Sequence, residues 1–122
     1  MKIIINYKLD NWNDTVNVNR RNKYAAASKK KKEMEIVKSF LIGVKKIEKY
    51  PIKLTCTWHV KNIGSDLDNK SLKAVLDAMQ EVGILENDNI NHIPEICHIA
   101  KKDKEDFLEI EMEVLEIWEK EK

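Results

Sequence analysis

The sequence lacks the features that mark exported, membrane-spanning and disulfide-rich proteins. It has two cysteines, Cys56 and Cys97, and without an export signal such a pair is expected to remain as reduced thiols. The apolar run near the start covers only residues 3–5, which is too short for a signal peptide or a membrane span. No internal repeat occurs, and the only low-complexity stretch is the lysine run at residues 29–32. These absences predict a cytoplasmic protein with no membrane partner.

Charge is balanced over the whole chain but is unevenly distributed along it. The 122 residues carry 22 Lys and Arg against 21 Asp and Glu. Residues 20–49 hold eleven basic and three acidic residues, whereas residues 103–122 hold nine acidic residues and three lysines. Because phosphate contacts depend on local lysine and arginine density, the basic first half can hold a polyanion despite the near-zero net charge.

Hydrophobic periodicity predicts six elements in the order β-α-β-α-β-β. The strands are recognised by alternating or β-branched apolar residues, and the helices by apolar residues spaced at i, i+3, i+4 and i+7. The predicted strands are residues 2–9, 52–60, 95–101 and 106–117, and the predicted helices run from Ser28 to just before Pro51 and from about Asp66 to Val82. Residues 10–27 are expected to form a long loop.

Length and element order together predict the fold class. A chain of 122 residues with 43% hydrophobic content fits a single domain, residues 1–122. We expect a small α/β (α+β) domain in which a mixed sheet packs against two helices.

Asp66 and Asp68 are the first candidate functional residues. They are two positions apart at the predicted junction of a strand and a helix, where extended geometry would point both carboxylates the same way. Hard oxygen ligands in this arrangement suit Mg²⁺, with Mn²⁺ as an alternative. Asp88 follows the helix and the turn at Gly83, and it joins the site if the loop runs back to the start of the helix.

Lys73 is the candidate for stabilising charge on a phosphate. Asn69, Lys73 and Asp77 are spaced at i, i+4 and i+8, so they form one polar strip on the predicted helix. An ammonium group about one turn above the aspartates could stabilise a phosphodiester under attack. Each residue has a simpler interpretation, because an Asp in the first helical turn caps free N–H groups and Asp77 could merely pair with Lys73.

Two other metal sites are disfavoured. An EF-hand loop starting at Asp66 would need a glycine at the position of Ser71 and a glutamate at that of Asp77. A zinc site is weak because Cys56 and His59 would point to opposite faces of their strand.

The run DLDNKSLKAVLDAMQEVGILEND resembles the signature of the RusA family of Holliday junction resolvases. In that signature an acid-x-acid-Asn element is followed by a lysine, an Asp, a helix-ending glycine and a further acid. The matching residues here are Asp66, Asp68, Asn69, Lys73, Asp77, Gly83 and Asp88. A weaker resemblance runs through TVNVNRRNKYAAAS, where Asn17, Arg20 or Arg21, and Tyr24 match. Family members often have two adjacent acids at the last position, where this chain has Asn87 before Asp88.

The resemblance implies a homodimeric, Mg²⁺-dependent endonuclease that makes paired symmetric nicks in four-way DNA junctions during recombination and repair. Asp66, Asp68 and Asp88 would hold one or two metal ions, and Lys73 would complete the catalytic set. Such an enzyme would work at the nucleoid and would suit a phage or prophage as well as a host chromosome. A C₂ dimer fits the approximate two-fold symmetry of a junction.

DNA contacts are expected from the basic loop and the start of the first helix. The candidates are Asn17, Arg20, Arg21, Lys23, Lys29, Lys30 and Asn69. The lysine run could equally be a solvated helix surface. Two alternative functions remain open, namely a junction-binding module without catalysis and a nuclease that prefers forks or flaps.

Overall fold

A computed structural model describes residues 1–9, 23–64 and 72–115, and of residues 23–27 only the backbone. The order of elements in this part is β-α-β-α-β-β, which confirms the sequence prediction. The elements are β1 (Lys2–Ile5), α1 (Lys23–Ser39), β2 (Ile52–Val60), α2 (Lys73–Glu81), β3 (Glu95–Lys102) and β4 (Phe107–Val114). The predicted α+β class with a mixed sheet and two helices is likewise confirmed.

The four strands form one sheet in the order β1-β4-β2-β3. β4 pairs antiparallel with both β1 and β2, whereas β2 pairs parallel with β3. Parallel neighbours require a crossover, because the chain must return from the carboxyl end of one strand to the amino end of the next. α2 lies in this crossover, so it begins at the carboxyl end of β2 and ends at the amino end of β3.

One face of the sheet carries the core. In β2, Ile52, Leu54, Cys56 and Trp58 are all less than 5% exposed, while the intervening residues include Lys53 and His59. The buried side chains of α1 and α2 join the same cluster, chiefly Val37, Val75, Leu76 and Met79, and so does Leu41 just after α1. The opposite face meets solvent, as an antiparallel or mixed sheet in a two-layer domain can.

The first helix differs from its predicted bounds at both ends. It begins at Lys23, before the predicted Ser28, because the run of alanines at residues 25–27 favours helix strongly. It ends at Ser39, well before Pro51, and a turn follows in which Gly43 adopts a positive φ of 81°. The apolar stripe continues past the helix end, since Leu41 and Ile47 are buried from irregular backbone.

Smaller differences occur elsewhere. β1 ends at Ile5, four residues short of its predicted end, although Leu9 is buried. α2 is described from Lys73, and the predicted start near Asp66 lies outside the described residues. β4 ends at Val114, while the predicted end at residue 117 lies outside them. No helix in the described ranges is long and apolar enough to cross a membrane.

Candidate functional site

Lys73 is the first residue of α2 and lies on its solvent side. α2 buries Val75, Leu76, Ala78 and Met79 on one side, and Lys73 lies on the other. The Lys73 side chain is 67% exposed, and its Nζ lies 3.5 Å from Oδ1 of Asp77 one turn along the helix. The predicted i, i+4 pair is therefore present. An exposed pair of this kind adds little stability, but it holds the ammonium group near the helix surface.

The loop that carries Asp88 starts where α2 ends. Gly83 has a positive φ of 83°, which favours glycine, and the N–H groups of Ile84 and Leu85 donate to the carbonyl of Met79 at 2.9 and 3.1 Å. These bonds satisfy a carbonyl in the last turn of α2 that no helical N–H reaches. Because Ile84 and Leu85 are also buried, the loop is anchored directly after the helix. The predicted helix stop at Gly83 is confirmed.

The rest of this loop is attached to the amino end of β2. The N–H of Glu86 donates to the Tyr50 hydroxyl at 2.9 Å, and the N–H of Ile52 donates to the carbonyl of His92 at 2.9 Å. Asn89 accepts the backbone N–H of His92 on its side-chain oxygen at 3.1 Å. Asp88 is exposed between these anchored residues.

Asp88 and Lys73 therefore lie toward opposite ends of α2 within one chain. A helix of nine residues spans roughly 13 Å at about 1.5 Å per residue, and the Asp88 loop continues from its far end toward Tyr50. The expectation that this loop runs back to the amino end of the helix is not met in the described structure. The reason is that the loop must deliver the chain to β3, which begins beside Lys53 at the amino end of β2.

The remaining residues of the predicted catalytic centre, Asp66 and Asp68, lie outside the described residues, as do the candidate DNA contacts Asn17, Arg20, Arg21 and Asn69. Lys23 begins α1, but its side chain is outside them too. Within the described ranges no three His, Cys, Asp or Glu side chains are grouped closely enough to bind a metal ion. Asp66 and Asp68 lie outside those ranges, so the magnesium prediction stays a prediction.

The lysine run lies in the middle of α1 and is surrounded by solvent. The five consecutive side chains of residues 28–32 are all exposed, including those of Lys29 and Lys30. Five residues exceed one helical turn of 3.6 residues, so this stretch has no side resting on the core. Among the described side chains of α1, the first buried one is that of Glu33, which is 8% exposed. We call residues 28–32 the lysine arm.

A cluster of His59, Phe107 and Asp103 at the end of β2 was not predicted from the sequence. The His59 ring stacks on Phe107 at 4.0 Å with an interplanar angle of 7°, and its Nδ1 lies 3.0 Å from Oδ2 of Asp103. The pKa of Asp103 is held below its usual value, chiefly by the backbone N–H of Lys104 and also by His59. This cluster fastens the end of β2 to the turn before β4. Strand alternation alone made His59 an outward polar residue and carried no signal of its partners.

The cysteines are both free, as predicted. Cys56 is buried beneath the sheet, and burial raises its thiol pKa to about 12, so it is neither a nucleophile nor a thiolate ligand near neutral pH. Cys56 is in register with His98 and belongs to the core face, whereas His59 belongs to the solvent face. The prediction that Cys56 and His59 point to opposite faces of β2 is therefore confirmed.

No protein-family model matches the chain, and no curated protein sequence matches it. The likeness to the RusA family consequently depends on the spacing of its own motif residues, from Asp66 to Asp88.

Proposed function

We propose that this protein is a Mg²⁺-dependent endonuclease that resolves four-way DNA junctions as a homodimer. The observation that carries the proposal is the spacing in sequence of Asp66, Asp68 and Asn69 ahead of Lys73, the first residue of α2. Two facts support it. The β-α-β-α-β-β order is the one that the RusA resemblance implies, and Lys73 is exposed at the amino end of α2, where a phosphate is also favoured by the helix dipole.

Asp66 and Asp68 would hold the metal through carboxylate oxygens, which are the donors Mg²⁺ prefers. When bound, the ion would lower the pKa of a water molecule and neutralise charge on the phosphodiester. Lys73 would donate to a non-bridging oxygen of that phosphodiester. Asp77, 3.5 Å from the Lys73 Nζ, would restrict the positions that the flexible lysine side chain samples.

Binding of the junction arms would use the basic residues ahead of the site. The exposed lysine arm of α1 provides cationic side chains in sequence, including Lys29 and Lys30. Asn17, Arg20, Arg21, Lys23 and Asn69 would add contacts that position the backbone without reading bases. A protein with this activity would work on DNA in the cytoplasm, at the nucleoid.

The test is cleavage of a synthetic four-way junction in Mg²⁺, with linear duplex, fork and flap substrates in parallel. We expect paired nicks in the junction, and loss of cleavage in Asp66→Asn and Asp68→Asn with binding retained. Glu105→Gln is a matched control, because Glu105 is an exposed acid remote from α2 in the sequence. Absence of junction cleavage, or full activity in Asp68→Asn, would contradict the proposal. Stronger cleavage of forks or flaps would reassign the substrate.

A second candidate is a junction-binding module without catalysis. The separation of Asp88 from Lys73 within one chain favours it, because one subunit alone does not bring its last acid to the lysine. Binding alone gains nothing from acids beside phosphates, so the retained Asp66 and Asp68 weigh against it. Junction binding without cutting in Mg²⁺ and Mn²⁺ would decide for this candidate.

A further inference from the structure

The carboxyl edge of the sheet carries a row of exposed lysines. β2 and β3 are parallel and end together, with Val60 in register with Lys102. Lys61 follows Val60 directly, and Lys104 lies in the turn that leads from β3 to β4. All the lysines at this edge are exposed, and we call them the edge lysines: Lys8, Lys61, Lys101, Lys102 and Lys104.

The row crosses the whole width of the sheet. Lys8 follows β1 and lines one small cavity together with Val60 and Asp106. The N–H of Lys61 donates to Oδ1 of Asp106 at 3.2 Å, and the N–H of Asp103 donates to the carbonyl of Val60 at 2.9 Å. The outer strands β1 and β3 are separated by β4 and β2, so the row extends over roughly 14 Å at about 4.8 Å per strand.

The ammonium groups of the edge lysines have no carboxylate partner in the part of the chain that the structure describes. Lysines elsewhere in the sheet do have one. The Nζ of Lys2 lies 3.5 Å from Oε1 of Glu111, and the Nζ of Lys53 lies 3.5 Å from Oε1 of Glu95. Unpaired positive charge is therefore concentrated at the carboxyl edge.

Two of the three acids at residues 103–106 bind backbone N–H groups and leave these lysines unpaired. Asp103 accepts the N–H of Lys104 on Oδ1 at 2.6 Å, and its Oδ2 lies 3.0 Å from Nδ1 of His59. Asp106 accepts the N–H of Lys61. These hydrogen bonds hold the backbone at two of the edge lysines, so both side chains start from fixed positions.

The solvent face of the sheet repels the anion that the edge attracts. Glu109, Glu111 and Glu113 alternate along β4 and form one acidic row on that face. Lys2 lies near the first two and can compensate only one of the three charges. A polyanion is therefore attracted along the edge and kept off the face.

We propose that the edge lysines bind the sugar-phosphate backbone of DNA, on a surface separate from α1 and the loop before it. One DNA strand carries a phosphate about every 3.4 Å along the helix axis, so the row covers roughly four phosphates. A single row suits a linear chain of phosphates better than the plane of a membrane. The choice of DNA rests on the proposed function, because α2 begins with Lys73 at this same end of the sheet.

Fluorescence anisotropy of a labelled four-way junction, titrated in EDTA at several salt concentrations, tests this surface. Each lost phosphate contact should flatten the slope of log Kd against log salt concentration by about 0.9, which is roughly fivefold in Kd at about 0.15 M salt. We expect this effect in Lys61→Gln and in Lys102→Gln. A variant that combines both with Lys104→Gln should bind about a hundredfold more weakly.

Lys53→Gln is the matched control, because it removes the same charge from a lysine that is paired with Glu95 at the amino end of β2. It should change Kd by less than about twofold, since only a screened long-range effect remains. Arginine at positions 61, 102 and 104 should keep the wild-type slope, because the phosphate contacts depend on charge.

An unchanged slope in the triple glutamine variant with native circular dichroism would overturn the surface. An equal loss of slope in Lys53→Gln would overturn it too, because only net charge would then matter. Binding to phosphatidylserine vesicles without binding to DNA would assign the edge lysines to a membrane instead.

The binding assay contains no metal ion, so its outcome is independent of cleavage. A protein that cleaves junctions while its triple variant binds with the wild-type slope would leave the proposed function standing and remove this surface. Binding through the edge lysines without cleavage in Mg²⁺ would support the surface and contradict the nuclease.

Discussion

Two inactive variants of this protein should regain cleavage activity when they are joined in one dimer. The first variant is Lys73→Met, which removes the ammonium group at the start of α2. The second is Asp88→Asn, which removes the acid in the loop at the amino ends of β2 and β3. Within one chain these side chains lie toward opposite ends of α2, so in the proposed homodimer we expect each site to combine Lys73 of one copy with Asp88 of the other.

The size of the recovery follows from the symmetry. In a heterodimer of the two variants, one composite site has both Lys73 and Asp88 intact, and the other lacks both. A purified heterodimer should therefore nick at about half the wild-type rate. In an equimolar mixture of freely exchanging subunits about half of the dimers are heterodimers, so the mixture should reach about a quarter of the wild-type rate.

The assay uses subunits with two different affinity tags, co-expressed and purified over both resins. Cleavage of an end-labelled four-way junction is followed on a denaturing gel. With a single intact site the heterodimer should nick one strand per binding event, so junctions should accumulate as nicked species before they separate. A wild-type heterodimer carrying the same two tags is the control for effects of tagging.

An inactive heterodimer beside an active tagged wild type would refute the shared site, because it would mean that Lys73 and Asp88 act within one chain. Full activity of the Asp88→Asn homodimer would refute it as well, by removing Asp88 from the site. An inactive wild type would instead contradict the proposed nuclease function itself.

Three further predictions concern the folded domain. Leu54→Ala removes a side chain with 0% exposure from the centre of β2, and in urea unfolding it should lower the free energy of unfolding by about 2–5 kcal/mol. The control is Ile42→Ala, at a position 84% exposed, which should change that free energy by less than about 0.5 kcal/mol. The pKa of His98 is lowered from its ordinary value of 6.5 by desolvation, so the unfolded chain binds the proton more tightly and stability should fall as the pH drops below 6.5, ceasing to fall once the folded protein is also protonated. His98→Asn, which can still accept the Trp58 N–H, should lack that decline when both proteins are unfolded at one fixed concentration. Burial raises the pKa of Cys56 to about 12, so a thiol reagent at pH 8 should label the half-buried Cys97 quickly and Cys56 only after unfolding; rapid labelling of both thiols would contradict the core position of Cys56.

The elements that could be predicted from the sequence are those with an uninterrupted local pattern. β2 alternates Ile52, Leu54, Cys56 and Trp58 with polar residues, and its bounds agree with the prediction. The stop of α2 at Gly83 was also predicted, because a glycine after an amphipathic stretch is a local signal. The end of α1 was not, since Leu41 and Ile47 keep the helical spacing while they are buried from an irregular segment. Hydrophobic periodicity indicates which residues are buried, but it does not show whether their backbone is helical or irregular.

In the candidate site, too, local contacts could be predicted from the sequence and long-range ones could not. The pairing of Lys73 with Asp77 is local and follows from helical spacing. The position of Asp88 is not local, because it depends on β2 and β3 being parallel, and strand direction leaves no trace in either strand's residue pattern. The stack of His59 on Phe107 joins residues far apart in sequence for the same reason. Contacts between residues far apart in sequence depend on the order and direction of the strands, so they could not be predicted from local patterns.

Electrostatic repulsion destabilises the helix at the lysine arm of α1 more than in the rest of α1. Four neighbouring ammonium groups, with no side of the helix resting on the core, repel one another across solvent, and dissolved salt weakens that repulsion over a Debye length of about 8 Å at physiological ionic strength. Salt should thus favour the helical form of the arm while weakening its attraction for a polyanion. A bound nucleic acid backbone would supply the counter-charge itself. The helix content of the lysine arm would then increase as nucleic acid binds. Binding could therefore be followed through the helix content of residues 28–32.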